Sequence, residues 1–234
     1  MNVIFNHTED VAENIKTFWF RTEKPVHYTA GQFTELYLPH DDADNRGQRR
    51  WFTLSSSPTD PMLSITTKFA GDTSSTFKKV LFGLKPDTSL MLAEPMGDFV
   101  LPKDASLPLV FVAGGIGVTP MHSMVKYLYD NRQMRNVHLI YAVTHIMELA
   151  FIPLFQQYGA KITIVVKDPP PSYTGESGSL DAARILALAP DTSNNMYYLS
   201  GPEPMVEAFT KGMHHAGVNK HRIVTDYFPG YQQF

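Results

Sequence analysis

A chain of 234 residues with 43% hydrophobic and 18% charged content is composed like a soluble globular protein and is long enough for two modest cores. A net charge of -3 and a pI near 6.3 speak against a nucleic-acid surface, and with no apolar run of membrane-spanning length and no signal-like order in MNVIFNHTED, a cytoplasmic location is expected. The absence of cysteine excludes a disulfide, a thiolate nucleophile, Cys-ligated zinc and a cysteine-held iron–sulfur cluster within these residues, and the nine histidines show no metal-ligand spacing, so no metal is expected.

The first hundred residues read as all-β. Short strand-like runs occur at Val3–Phe5, Ile15–Arg21, Phe33–Leu38, Trp51–Ser55, Met62–Phe69 and Leu90–Ala93, separated by turn chemistry such as Ser57-Pro58-Thr59-Asp60-Pro61. Strands at this spacing predict a small closed barrel. One helix interrupts it: Gly71–Thr76 supplies capping residues, followed by Phe77, Val80, Leu81 and Leu84. Asp41–Gln48 reads as a polar, mobile loop.

Near residues 101–108 the pattern changes, and the domain boundary is placed there, giving residues 1–103 and 104–234. Strand-like and helical runs now alternate: Val110–Ala113, a helix to Asp130, His138–Val143, a helix around Leu149–Tyr158, Ile162–Lys167, a helix around Leu180–Leu188, Met196–Ser200, and a helix from Pro204 to His215. That alternation predicts a parallel sheet with helices on both faces.

Three stretches carry chemistry. In PLVFVAGGIGVTPM, residues 108–121, a buried strand runs into Gly114-Gly115-Ile116-Gly117 and then Thr119-Pro120, a residue pair suited to a helix N-cap and first turn. Met121, Met124, Val125 and Leu128 follow as one apolar stripe. Such a unit brings backbone N–H groups to a pyrophosphate at a helix N-terminus, although the same turn also serves as a plain tight connection, and the third glycine of G-x-G-x-x-G is missing. Ser200-Gly201-Pro202-Glu203-Pro204-Met205 is a second strand-to-helix turn, and two such turns in one sheet favour a shared nucleotide crevice. In Arg50-Trp51-Phe52-Thr53-Leu54-Ser55-Ser56 the arginine is either an ordinary surface residue or a phosphate partner beside a ring-packing Phe52 and a hydrogen-bonding Thr53.

Arg50–Ser56 fits the Arg-x-Tyr/Phe-Ser/Thr-x-x-Ser flavin motif, and here the chain resembles the ferredoxin–NADP reductase-like flavoproteins. Gly31-Gln32-Phe33, Lys68 with Gly71–Thr76, Pro95–Phe99, Gly114–Pro120, Ser200–Met205 and Thr225–Tyr231 are similar to that family's landmarks, in the family's order. The resemblance implies an FAD-binding barrel followed by a Rossmann-like NADH- or NADPH-binding domain. It implies that Arg50, Trp51, Phe52, Thr53, Thr67, Lys68, Gly71, Ser74, Ser75 and Thr76 hold the flavin. Gly115, Gly117, Thr119, Pro120, Gly201, Pro202 and Met205 hold the nicotinamide dinucleotide, and Phe228 or Tyr231 covers the flavin. Thr53, Ser200 and Asp226 stand nearest the chemistry. Two residues depart from the pattern: Ser200 replaces the family's cysteine, and Asp226 its usual glutamate.

The activity expected from the resemblance is an FAD-dependent reductase passing electrons from NADH or NADPH to a separate acceptor, such as a ferredoxin or an oxygenase component. The alternatives are a flavin reductase treating flavin as a diffusing substrate, and a non-catalytic nucleotide-sensing subunit. Beyond the second strand of the nucleotide domain only His145 precedes the acid Glu148, with Lys167 and Arg184 further on, which favours NADH.

Overall fold

Residues 1–189 and 194–228 are described by the computed structural model, with only the backbone of Phe228 included. Six strands, β1 (Asn2–Ala12), β2 (Ile15–Thr22), β3 (Phe33–Tyr37), β4 (Arg49–Thr53), β5 (Leu63–Lys68) and β6 (Ser89–Leu92), form an antiparallel sheet in the order β4-β3-β6-β1-β2-β5. A bridge between Leu54 and Ile65 joins its two ends, so the sheet curls into a barrel. Phe18, Phe20, Leu36, Leu54 and Ile65 fill the interior, and helix α1 (Thr76–Phe82) plugs it with Phe77 and Leu81. β1 is far longer than the Val3–Phe5 run predicts, because His7 to Asp10 in its hairpin with β2 are polar and carry no apolar alternation.

Residues 93–108 lead into the second sheet. Its strands β7 (Leu109–Gly114), β8 (Val137–Val143), β9 (Lys161–Val166), β10 (Glu176–Ser177), β11 (Met196–Pro202) and β12 (Ile223–Phe228) are parallel, in the order β10-β9-β8-β7-β11-β12. Every residue of β7 is buried, which is why its sequence is continuously apolar rather than alternating. Leu109, Phe111 and Ala113 face the helices α2 (Thr119–Asp130) and α3 (Ile152–Tyr158). Val110 and Val112 face α4 (Ala182–Leu188) and α5 (Glu203–His215). The short β10 and the edge strand β12 have no apolar run that marks them as strands; β12 follows the sheet because its backbone pairs with β11 from Tyr197–Ile223 to Pro202–Phe228.

The two sheets meet along α2. His122 Nδ1 lies 2.7 Å from the Ser55 carbonyl, which makes that nitrogen the protonated one, and Ser123 donates to the Ser56 carbonyl at 2.5 Å. Lys126 reaches Asp60, and Thr59 donates to Asp130. Lys68 at the end of β5 pairs with Glu148 at 2.6 Å. Gly31 sits in this seam with φ +99°, and a Cβ there would fall 2.5 Å from the Met124 methyl. Glycine is required on both counts.

Candidate functional site

The strand order places the site. The chain winds outward from β7 to β10, then returns to lay β11 on the other side of β7, so the β7/β11 pair is the switch point where open parallel sheets bind ligands. The two glycine turns lie there side by side. A Cβ on Gly117 would sit 2.7 Å from the Gly201 nitrogen and closer still to the Ser200 carbonyl, and one on Gly114 would lie 2.5 Å from the Met205 sulfur. The glycines therefore pack backbone against backbone. Thr119 does not act as the expected N-cap: Gly115–Val118 forms a 3₁₀ turn, Thr119 is already helical at φ -58° and ψ -49°, and its hydroxyl donates to the Ile116 carbonyl. Pro120 occupies the first turn, where its missing N–H costs nothing.

From the barrel side, a cleft of about 1000 Å³ opens between β4, β5, the N-terminus of α1, the turn after β7 and the end of β12. It is at the upper end for a small-molecule site. Arg50, Trp51, Phe52, Thr53, Thr67, Ser74, Ser75, Thr119 and Asp226 line it. Phe52 is 9% exposed, packed against Phe77 with ring centres 6.0 Å apart. Trp51, pointing the other way from β4, is 60% exposed, with its indole N–H on Glu35. The Thr53 hydroxyl donates to the Asp226 carboxylate at 3.3 Å, linking barrel and parallel sheet across the cleft. Burial pushes the Asp226 pKa up to about 6, against the pull of the Thr53 hydroxyl and the Tyr227 backbone N–H. Ser200 pairs with Asp226 across β11 and β12, and its fully buried hydroxyl has no partner among the described residues.

Other expected site residues are placed elsewhere. Lys68 is engaged by Glu148, Thr76 by His40, and neither they nor Gly71 line the cleft. The hydroxyls of Ser74 and Ser75 accept from the backbone of Ala70 and Lys78, which fixes the oxygens and leaves each O–H able to donate to a ligand. Gly115, Gly117, Gly201, Pro202 and Met205 form the neighbouring crevice rather than the cleft lining. The Phe228 side chain and Tyr231 lie outside the described residues. Sequence reasoning missed Arg46, Thr66, Lys78 and Tyr227, which also line the cleft. Arg46 was hidden in a loop whose composition reads only as polar.

The residues fit a flavin dinucleotide. Among the described residues the buried Arg50 Nε has no partner, and Nη2 has one for its two N–H groups, so the guanidinium on this wall has donor capacity that a phosphate would satisfy. Beside it stand aromatic side chains and hydroxyls suited to a flat polar-edged ring.

Residues 111–211 match the oxidoreductase NAD-binding domain family. The chain is 27% identical over 235 residues to the stachydrine N-demethylase reductase subunit of Rhizobium meliloti (strain 1021), covering 95% of this chain and 65% of that one. It is 30% identical over 201 residues to the toluate 1,2-dioxygenase electron transfer component of Pseudomonas putida, covering 82% and 56%. The chain is thus similar to reductase and electron transfer components over most of its length, and residues 111–211 carry the oxidoreductase NAD-binding domain. The chain spans 50 to 65% of the length of the curated relatives compared. Its fold superposes on the FAD/NAD-binding domain of nitric oxide dioxygenase from Vibrio cholerae with a TM-score of 0.83 at 20% identity, over 97% of this chain and 98% of that one. The ferredoxin reductase of carbazole 1,9a-dioxygenase gives 0.80 at 20% identity, over 97% and 69%.

Proposed function

We propose that this chain takes hydride from NADH onto a bound FAD and passes the electrons to a separate acceptor protein of the oxygenase-component or ferredoxin kind. The observation that carries this reading is the Thr53–Asp226 contact, which joins the flavin-type motif of one sheet to the ligand edge of the other inside a cleft of about 1000 Å³. Residues 1–103 form the flavin unit and residues 104–234 the nicotinamide unit. Arg50 holds the cofactor's phosphate, Phe52 backs the ring, and Thr67, Ser74 and Ser75 wall the cleft.

The flavin, when bound, supplies the ability to accept a two-electron hydride and release electrons singly. The protein's share is positioning and proton handling. Asp226, with its pKa near 6, stands at the pH where it can hold or yield a proton, and the Thr53 hydroxyl that donates to it would act only as a relay, releasing its own proton into the cleft as it takes one from Asp226. Close packing at Gly114 and Gly117 holds the two turns together, and Gly115, with nothing within 4 Å of where a Cβ would stand, is where a dinucleotide phosphate can approach backbone N–H groups. NADH is favoured over NADPH because Arg184, a candidate for a 2′-phosphate, is tied to Glu176 at 2.6 Å and to two carbonyls of its own loop. That relatives are the reductase component of propane 2-monooxygenase and the electron transfer component of toluate 1,2-dioxygenase supports the acceptor class.

The test is an absorption spectrum of the purified protein reconstituted with FAD, before and after anaerobic NADH. Retained flavin bands that bleach with NADH, and more slowly with NADPH, are expected. Retained flavin that neither nucleotide bleaches would overturn the enzymatic reading.

A further inference from the structure

The loop before β4 does more than connect strands. Asp44 Oδ1 accepts from Arg50 Nη2 at 2.6 Å, and Asp44 Oδ2 from Arg46 Nη2 at 3.3 Å, so one carboxylate holds two guanidinium groups. Both arginines line the cleft, and Asp44 does not. The carboxylate therefore stands behind the arginines and is not seated where a ligand's phosphate would go. The loop is itself built around this residue. The Arg46 backbone N–H donates to Asp44 Oδ1 at 2.9 Å, and the Gly47 N–H to the Asp44 carbonyl at 2.8 Å. The carbonyls of Arg46, Gly47 and Arg49 then surround Arg50 Nη1 at 2.7 to 3.0 Å.

We propose that Asp44 is a positioning residue that locks Arg50 and Arg46 into a two-guanidinium clamp for a pyrophosphate-bearing ligand, a role that rests on the flavin reading above. Three physical arguments carry it. A free arginine side chain loses rotamer entropy on binding, and a prefixed one loses less. Arg50 is only 13% exposed on its side chain, and a guanidinium that far from water needs a counter-charge in the unliganded protein. Finally, the brace takes Nη1 and one N–H of Nη2, so the guanidinium's orientation is fixed, with its second Nη2 N–H and the buried Nε left without a partner among the described residues. Burial pushes the Asp44 carboxyl up, but hydrogen bonds from the Arg46 N–H and the Arg50 guanidinium outweigh it and hold the group below the ordinary aspartate value. It is charged throughout the neutral range.

The experiment uses the full chain stripped of flavin and titrated by fluorescence with FAD and, separately, with riboflavin, which lacks phosphate. Asp44→Asn keeps an acceptor for the Arg46 N–H and removes the charge on the arginines. FAD affinity is expected to fall about tenfold, the scale of one charge-assisted hydrogen bond. Riboflavin affinity is expected to stay at the wild-type level, while the thermal midpoint falls because Arg50 loses its counter-charge. Unchanged or tighter FAD binding in Asp44→Asn overturns the brace, the second result marking Asp44 as a competitor. Equal losses for FAD and riboflavin overturn it as well, since a merely structural loop would weaken both. Failure of the wild-type protein to bind FAD at all would instead overturn the flavin reading on which the clamp depends.

Discussion

Burial moves the Asp226 carboxyl from an ordinary 3.8 to about 6, so between those values the native protein holds a proton that the unfolded chain has released. Stability therefore falls as pH rises through that window, and above it the ionised native state carries a penalty on the order of 3 kcal/mol. Asp226→Asn keeps the shape and removes the charge. Its unfolding free energy at pH 8 is expected to exceed that of wild type by about 1–3 kcal/mol, with the two converging near pH 4, as read by urea denaturation at each pH. The same variant is expected to slow flavin bleaching by NADH, because the group that is costly to ionise is the one placed to move a proton. A variant no more stable at pH 8 than wild type would mean that solvent reaches this carboxylate far better than its surroundings suggest.

At the scale of elements, the glycine turn after β7 separates two kinds of glycine. Gly115 has φ +53° and nothing within 4 Å of where a Cβ would stand, so Gly115→Ala meets only the left-handed backbone cost of about 1–2 kcal/mol. Gly117 has an ordinary backbone, but its Cβ would press on the Ser200 carbonyl and the Gly201 nitrogen, neither of which can rotate away. Gly117→Ala is expected to cost about 3 kcal/mol or more by forcing β7 and β11 apart, and to weaken nicotinamide dinucleotide binding beyond what Gly115→Ala does. Thermal unfolding and nucleotide titration of the pair decide it; equal midpoints would remove the close-packed crevice. The sequence made this turn legible because strand, glycines and apolar stripe are local signals: Met121, Met124, Val125 and Leu128 are all fully buried, as their spacing predicts. The 3₁₀ entry to α2 was not legible, since Thr-Pro is equally good chemistry for a direct cap. Nor were β12 and Arg46. The edge strand is defined by pairing with β11 and the arginine by a fold of loop around Asp44, and neither leaves a periodic trace.

For the whole molecule, the seam between the two sheets is polar and contains a histidine that must stay neutral. His122 stacks on Phe151 with ring centres 3.9 Å apart, donates from Nδ1 to the Ser55 carbonyl, and is pushed by desolvation down to about 4. The unfolded chain protonates this ring first as pH falls below about 6.5, so the native state loses stability between pH 6.5 and 4, opposite in sign to Asp226. His138, bonded to Thr163 inside the parallel sheet and also lowered to about 4, adds a second term of the same sign. Acidification from pH 7 to 5 is therefore expected to destabilise the protein on balance. His122→Asn keeps a donor for Ser55 without a titrating ring, and should lose about 1–2 kcal/mol less than wild type over that range. His138→Asn serves as the comparison, because it removes a similar titration far from the seam. If the Thr53–Asp226 contact depends on how the sheets are docked, flavin retention at pH 5 should improve in His122→Asn and not in His138→Asn. Equal flavin retention in the two variants would show that protonating the seam leaves the cleft intact, and would assign the acid sensitivity to the parallel sheet alone.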